Sequence, residues 1–153
     1  SGMRAVQQVI SWTLTLFLIA VFLHWTVHPW PGPQAGAVIF YDLPGENLVF
    51  STLAQNSGFA FFEPTLRTAF GAALLVSAIL LLIPRFRRFG AWFAAACFAL
   101  LCAAHLSPWL GIEIPAVTDG SRTDAGAHFY LSGSGLVASL LLAFLHPRQI
   151  DLS

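Results

Sequence analysis

The sequence predicts an all-α integral membrane protein, a four-transmembrane-helix bundle, and three observations lead there. First, 57% of the 153 residues are hydrophobic and only 9% charged, with no lysine and a mean hydropathy of +0.74. Soluble domains of this size carry roughly a quarter charged residues. Second, histidine aside, four stretches are free of charge and long enough to cross a bilayer: 5–41, 68–84, 89–112 and 125–147. None carries the polar face that a soluble helix turns to water. Third, the charges are sorted between the two ends of such a bundle. One end would hold Arg4, Arg85, Arg87, Arg88 and Arg148 against Asp151; the other would hold Asp42, Glu46, Glu63, Glu113, Asp119 and Asp124 against Arg67 and Arg122. Arginine favours the cytoplasmic face, so the expected topology is N-in and C-in. The lipid bilayer is then the first partner. Nucleic acid is excluded as a partner, because the basic cluster is a membrane flank. A single transmembrane four-helix domain covers residues 3–150.

The most informative stretch is 62–88, FEPTLRTAFGAALLVSAILLLIPRFRR. Seventeen uncharged residues, Thr68 to Pro84, separate an acid-proline-basic opening from an arginine cluster. As a helix they extend about 26 Å, close to the hydrocarbon thickness of a bilayer. The first helix is expected over about 5–27, stopped by Pro29, Pro31 and Pro33. Trp12 fits its inner end, and Trp25 and Trp30 fit the aromatic belt at its outer end. An outer loop over 28–64 follows. It is long and carries Phe40, Tyr41, Phe50, Phe59, Phe61 and Phe62, which need an apolar surface, so it is expected to be ordered and to cap the bundle. Within it LVFSTLAQ can form one or two amphipathic turns. The second helix is placed at 65–83, with Pro64 suited to its first turn.

A tight turn at 85–88 leads to the third helix, 89–107. It is crowded with Ala91, Ala94, Ala95, Ala96, Ala99, Ala103 and Ala104, a composition that lets membrane helices approach closely and places this helix at the centre of the packing. A second outer loop covers 108–124. The fourth helix, 125–146, carries a small and polar stripe of Gly126, Ser132, Gly133, Gly135 and Ser139. Cys97 and Cys102 lie about 140° apart around the third helix and cannot pair, so both read as free apolar fillers.

Three blocks carry a family resemblance: EPTLRTAFGAALLVSAILLLIPR, GAWFAAACFALLCAAHLSPWLGIEI and DAGAHFYL. In this order and at these spacings the chain resembles the DoxX family of small four-helix bacterial membrane proteins, in particular its DoxX-like members. The similarity runs from Glu63 to Leu131. It implies the N-in four-helix bundle that the charges indicate independently, and a multi-pass protein of the bacterial inner (plasma) membrane. Relatives include a subunit of a thiosulfate:quinone oxidoreductase and members tied to redox or chaperone complexes. The chain departs from the family pattern at Leu74, where a glutamate is frequent, and at Ala125, where a glycine is frequent.

The residues able to carry chemistry gather at the outer surface. Glu63, Arg67, His105 and Asp124 each start or end a helix there and are expected to form one polar cluster. Glu63 and Arg67 have the favoured acid-first i, i+4 spacing. Asp124 is placed to cap the last helix and to approach Arg67 if the second and fourth helices are neighbours. His24, His28, His105 and His128 supply nitrogen ligands for a metal or a haem, and His24 and His28 share a helix face. Phosphate-loop, serine-nucleophile and CxxC motifs are absent from the sequence.

Three functions follow. The first is a redox-linked subunit that binds a quinone or a small anion in a pocket on the extracytoplasmic side. The second is a non-catalytic assembly protein that binds a redox or assembly partner, or a second copy of itself. The third is a metal- or haem-binding protein that uses the outer histidines. Whether the chain is an enzyme stays open at this level.

Overall fold

The computed structural model describes residues 2–27, 38–117 and 119–147. They form five helices and, among the described residues, no strand: α1 (Gly2–Thr26), α2 (Leu48–Ser57), α3 (Thr65–Leu82), α4 (Arg87–Leu106) and α5 (Ala127–Leu145). Short 3-10 turns, Ala60–Phe62 and Pro84–Phe86, lead into α3 and α4. The helices α1, α3, α4 and α5 are each long and apolar enough to cross a membrane, which makes this a multi-pass membrane protein by length and hydropathy. Their bounds lie within about three residues of those expected from charge and proline positions, the usual uncertainty of helix ends.

The four long helices pack in the cyclic order α1–α3–α4–α5. Neighbours in this ring share extensive contact, whereas α3 and α5 lie across it from each other. The condition under which Asp124 would approach Arg67, that these two helices are neighbours, is therefore not met. The N-terminus of α1, the turn at 83–87 and the C-terminus of α5 mark one end, called here the arginine end. The connections at 38–64 and 107–126 mark the other, the loop end.

Small residues set the interior. α4 is the most buried of the four spans, with Gly90, Ala91, Ala94, Ala95 and Cys97 on its inward faces. On α5 the inward stripe is Ser132, Gly135, Ala138, Ser139 and Leu142; Gly133 falls outside it. The two serines donate their hydroxyls to the carbonyls four residues back, at 2.8 and 2.7 Å, so they enter an apolar interior without an unpaired donor. Phe98 fills the centre, stacked on Phe22 at 5.0 Å and edge-on to Trp25 at 5.8 Å. Its ring lies over Gly135, where a Cβ would meet it at 2.3 Å. Trp25 is thus a core residue, 6% exposed, and not the belt residue expected from its place in the sequence. Its indole faces inward because Phe98 and a histidine on α5 supply ring partners. Trp30 lies outside the described residues.

The connection after α1 returns onto the bundle. The N–H groups of Ile39 and Phe40 donate to the carbonyls of Trp25 and Thr26 at 2.8 and 3.1 Å, which satisfies the open end of α1. Asn47 caps α2 by accepting from the Phe50 N–H at 3.1 Å, and its own amide donates to the Asp42 carboxylate at 2.7 Å. Gly58, at φ +79°, ends the helix in the left-handed conformation. So the LVFSTLAQ segment lies in a ten-residue helix that runs on to Ser57, longer than the one or two turns expected. Its buried Val49, Phe50 and Leu53 pack on Leu110 and Ile114 of the second connection.

The arginine end holds the other departure. Arg87, read from the sequence as a membrane-flanking charge, is fully buried at 0% exposure. Its Nε donates to the Leu81 carbonyl at 2.7 Å and its Nη1 to Ser11 Oγ at 3.1 Å, while the guanidinium lies 4.0 Å from the centre of the Trp12 ring. The cause is geometric. Arg87 begins α4 where α3 has just ended, so its side chain lies beside the unpaired carbonyls of that terminus.

Packing of α4 against α5 depends on the missing Cβ at position 135. Gly135→Val is expected to destabilise the protein by about 1–3 kcal/mol, read as thermal or denaturant unfolding in detergent. A Phe98→Ala background should recover part of the loss, because it removes the ring that the new side chain meets.

Candidate functional site

At the loop end the polar side chains fall into two groups. The first joins α3 to the first connection. The Arg67 Nε donates to both Glu63 carboxylate oxygens at 2.8 and 2.9 Å, and its Nη2 lies 2.8 Å from Glu63 Oε1. Its Nη1 donates to the Ile39 carbonyl. Both side chains of the ion pair are about 5% exposed or less. The i, i+4 spacing brings acid and base onto one face, and the Ile39 side chain lies over Gly71, where a Cβ would meet its Cγ2 at 2.6 Å. Arg67 thus holds the first connection to the bundle, and its charge is neutralised locally.

The second group joins α4, α5 and the second connection. His105 is 1% exposed. Its Nδ1 lies 2.9 Å from the Gly111 carbonyl and its Nε2 lies 2.7 Å from His128 Nδ1. A carbonyl oxygen only accepts, so His105 carries its proton on Nδ1, and its Nε2 lone pair accepts from His128 Nδ1–H. Neutral His128 then has its remaining lone pair on Nε2. The Trp25 ring stacks on His128 at 4.7 Å and 24°.

Asp124 orders the first turn of α5. Its carboxylate accepts from the backbone N–H groups of Gly126 at 2.8 Å, His128 at 2.9 Å and Ile114 at 3.2 Å. Burial alone would raise its pKa, but the three N–H donors outweigh burial and hold the carboxyl below its ordinary range. The chain turns here through Ala125 at φ +57° and Gly126 at φ +86°. Both are left-handed, so glycine is the easier residue at each.

Glu63 and Arg67 therefore pair as their spacing indicates, and His105, Asp124 and His128 come together. No hydrogen bond or ion pair joins Arg67 to His105 or Asp124 among the described residues: α5, which follows Asp124, stands across the ring from α3, and Arg67 and His105 are each bonded to other partners. Among the described residues, no three His, Cys, Asp or Glu side chains group as a metal site. Both nitrogens of His105 are committed to hydrogen bonds, and His24 is an exposed residue of α1. His28 lies outside the described residues. Cys97 and Cys102 are free thiols.

Beside these groups lies a pocket of about 600 Å³ between α3 and α4, roofed by α2. Its walls are Phe50, Leu53, Phe62, Leu66, Phe70, Ala73, Leu101, Ala104 and Trp109, with Ser107 as the one polar side chain. No charged residue lines it. Phe50 and Phe62 were among the aromatics expected to need an apolar surface. Phe70 and Ala73 carry no signal in the sequence, being apolar residues on apolar spans, and Ala104 signals only close helix packing.

A second cavity of about 20 Å³, lined by Asn47, Trp25 and His128, shares Phe50, Phe70 and Leu101 with the large pocket. It has room for about one water molecule. One layer of side chains thus separates the apolar pocket from the histidine pair.

Two independent groups predict additive energetics. Arg67→Ala leaves the Glu63 carboxylate uncompensated and should cost about 3 kcal/mol or more. Asp124→Asn should cost about 1–2 kcal/mol through the weakened acceptor. The double variant should equal the sum within about 0.5 kcal/mol; a larger coupling in unfolding measurements would place the groups in one network. Since the Asp124 pKa is depressed on folding, its contribution is fully present at neutral pH. It is lost as pH falls through its ordinary value of 3.8 and below, which Asp124→Asn should abolish.

No family model, curated protein or solved structure matches the chain, so the similarity to the DoxX family rests on the three sequence blocks.

Proposed function

We propose that this protein binds a quinone-class lipid at the loop end of its bundle, as a redox-linked DoxX-like subunit of the bacterial inner membrane. The observation that carries the reading is the charge-free pocket of about 600 Å³ walled by Phe50, Phe62, Phe70 and Trp109. An apolar tail needs such a lining, and a flat uncharged ring gains from aromatic walls. A phospholipid headgroup would need a cation for its phosphate, and none lines the pocket. The same argument weighs against the small anion, because Arg67 is taken up by Glu63 and Ile39. The histidine pair behind Phe50 and Phe70 gives the polar neighbourhood that a quinone ring uses for its oxygens.

Non-catalytic assembly is the second reading. It is favoured by the internal pairing of Glu63 with Arg67, which serves to hold a connection in place. In both readings the arginine end faces the cytoplasm, with Arg4, Arg85 and Arg88 supplying the positive bias.

Binding is tested by titrating the purified chain in lipid nanodiscs with a short-chain benzoquinone and following tryptophan emission. The expected result is saturable quenching that is lost in Trp109→Phe and in Ala73→Phe, which fills the pocket. Equal quenching in wild type and Ala73→Phe, with phospholipid alone in solvent extracts, would overturn the reading. Topology is tested in a Cys97→Ala, Cys102→Ala background. A cysteine replacing exposed Arg85 should be protected from an impermeant thiol reagent in spheroplasts, and one replacing exposed Glu46 should be labelled.

A further inference from the structure

At the arginine end a buried chain of hydrogen bonds runs through four parts of the molecule. Arg87 Nη1–H on α4 donates to Ser11 Oγ on α1 at 3.1 Å. Ser11 Oγ lies 2.7 Å from His146 Nδ1 at the end of α5, and His146 Nε2 lies 2.9 Å from the Pro84 carbonyl. The Pro84 oxygen only accepts, so the proton of His146 sits on Nε2. Its Nδ1 then offers a lone pair to the Ser11 hydroxyl, whose oxygen in turn accepts from Arg87. The direction of every bond in this chain is set by its two ends. Arg87 and Ser11 are 0% exposed and His146 is 4% exposed.

This arrangement works with one protonation state only. A proton on His146 Nδ1 would turn that atom into a donor, so Ser11 Oγ would face donors on both sides and its own hydroxyl hydrogen would lose its acceptor. It would also place a second cation beside Arg87. Among the described residues, the charged groups facing His146 are Arg87 and Arg88 of α4, the latter donating to the His146 carbonyl. From α1 it meets Ser11, and from the turn before α4 the Pro84 carbonyl. No carboxylate pairs with Arg87, Arg88 or His146 among the described residues. Two buried like charges without a counter-ion are strongly unfavourable.

We propose that Arg87, Ser11 and His146 form a proton-operated latch that holds the arginine end closed when His146 is neutral and releases the C-terminus of α5 when the pH at that end falls. The direction of the titration agrees. Burial lowers the His146 pKa below its ordinary value, repulsion from Arg87 and Arg88 adds to this, and the Pro84 hydrogen bond opposes it. The folded state therefore binds this proton less readily than the unfolded chain. The contribution of neutral His146 is complete above the ordinary histidine pKa of about 6.5 and declines as pH falls below it. Trp12 reports the event, because its ring carries the Arg87 guanidinium.

The test uses the full chain in detergent between pH 8 and pH 5. The Trp12 contribution is taken as the emission of wild type minus that of Trp12→Phe, and unfolding temperature is followed in parallel. The four other histidines are common to all variants, so their contribution cancels in the comparison. Wild type should show a reversible change in Trp12 emission and a falling unfolding temperature below about pH 6.5. His146→Asn should lose both. Ser11→Ala removes the hydroxyl that occupies the Nδ1 lone pair, so its transition should move to higher pH; this variant decides the matter if His146→Asn does not fold. A His146→Asn profile that matches wild type would overturn the latch. So would a pH-independent Trp12 signal in wild type, or an unmoved transition in Ser11→Ala.

Discussion

A charge buried in an apolar bundle must be satisfied by whatever backbone and hydroxyl groups reach it, and Arg87 is the residue on which this constraint falls hardest. Its guanidinium is fully enclosed, with no carboxylate partner among the described residues. What stabilises it is the carbonyl end of α3, where the aligned peptide dipoles present partial negative charge, together with Ser11 and the face of Trp12. Through these contacts one side chain joins α1, α3 and α4, and Ser11 extends the connection to His146 at the end of α5. The tight turn at 83–87 places the charge where it caps a helix terminus that lipid could not hydrate.

The loop end solves the same problem with neutral and paired groups. Arg67 is matched by Glu63, Asp124 by three backbone N–H groups, and the two histidines by each other and by the Gly111 carbonyl. Each arrangement joins a connection to a helix: Arg67 to residue 39, and Asp124 and His105 to residues 111–114. The large pocket beside them is therefore bounded by fixed walls, with α2 held by Asn47 and Asp42 as its roof. Its apolar lining and the adjacent polar pair are the two halves of what an amphipathic ring on an apolar tail requires.

Asp124 and His146 respond to protons in different ranges. Asp124 is held ionised by three backbone N–H donors, so that group does not titrate near neutrality. Neutral His146 fits between a serine and a carbonyl with arginines nearby, an arrangement that a proton taken up below the ordinary histidine range would disrupt. The apolar pocket at one end and the Arg87–Ser11–His146 contact at the other are linked by α4, which contributes residues to both.

The sequence alone determined the class and the helix count, because charge-free runs of bilayer length have few other solutions and prolines and arginines mark their ends. It also determined the Glu63–Arg67 pair, since i, i+4 spacing is a local property of a helix. The role of Asp124 was visible for the same reason: it stands just before a helix start. Only the tertiary structure decided the rest. Whether α3 meets α5 depends on the order of helices around the ring, which no local pattern encodes, and that order separates Arg67 from Asp124, while His105 turns to Gly111 and His128. Trp25 and Arg87 carry belt and flank signals in the sequence, yet both turn inward because partners distant along the chain, Phe98 and His128 for one and Ser11 for the other, are brought beside them. The pocket was hidden because its walls are apolar residues on apolar helices, and a concavity between them exists only once the helices are packed.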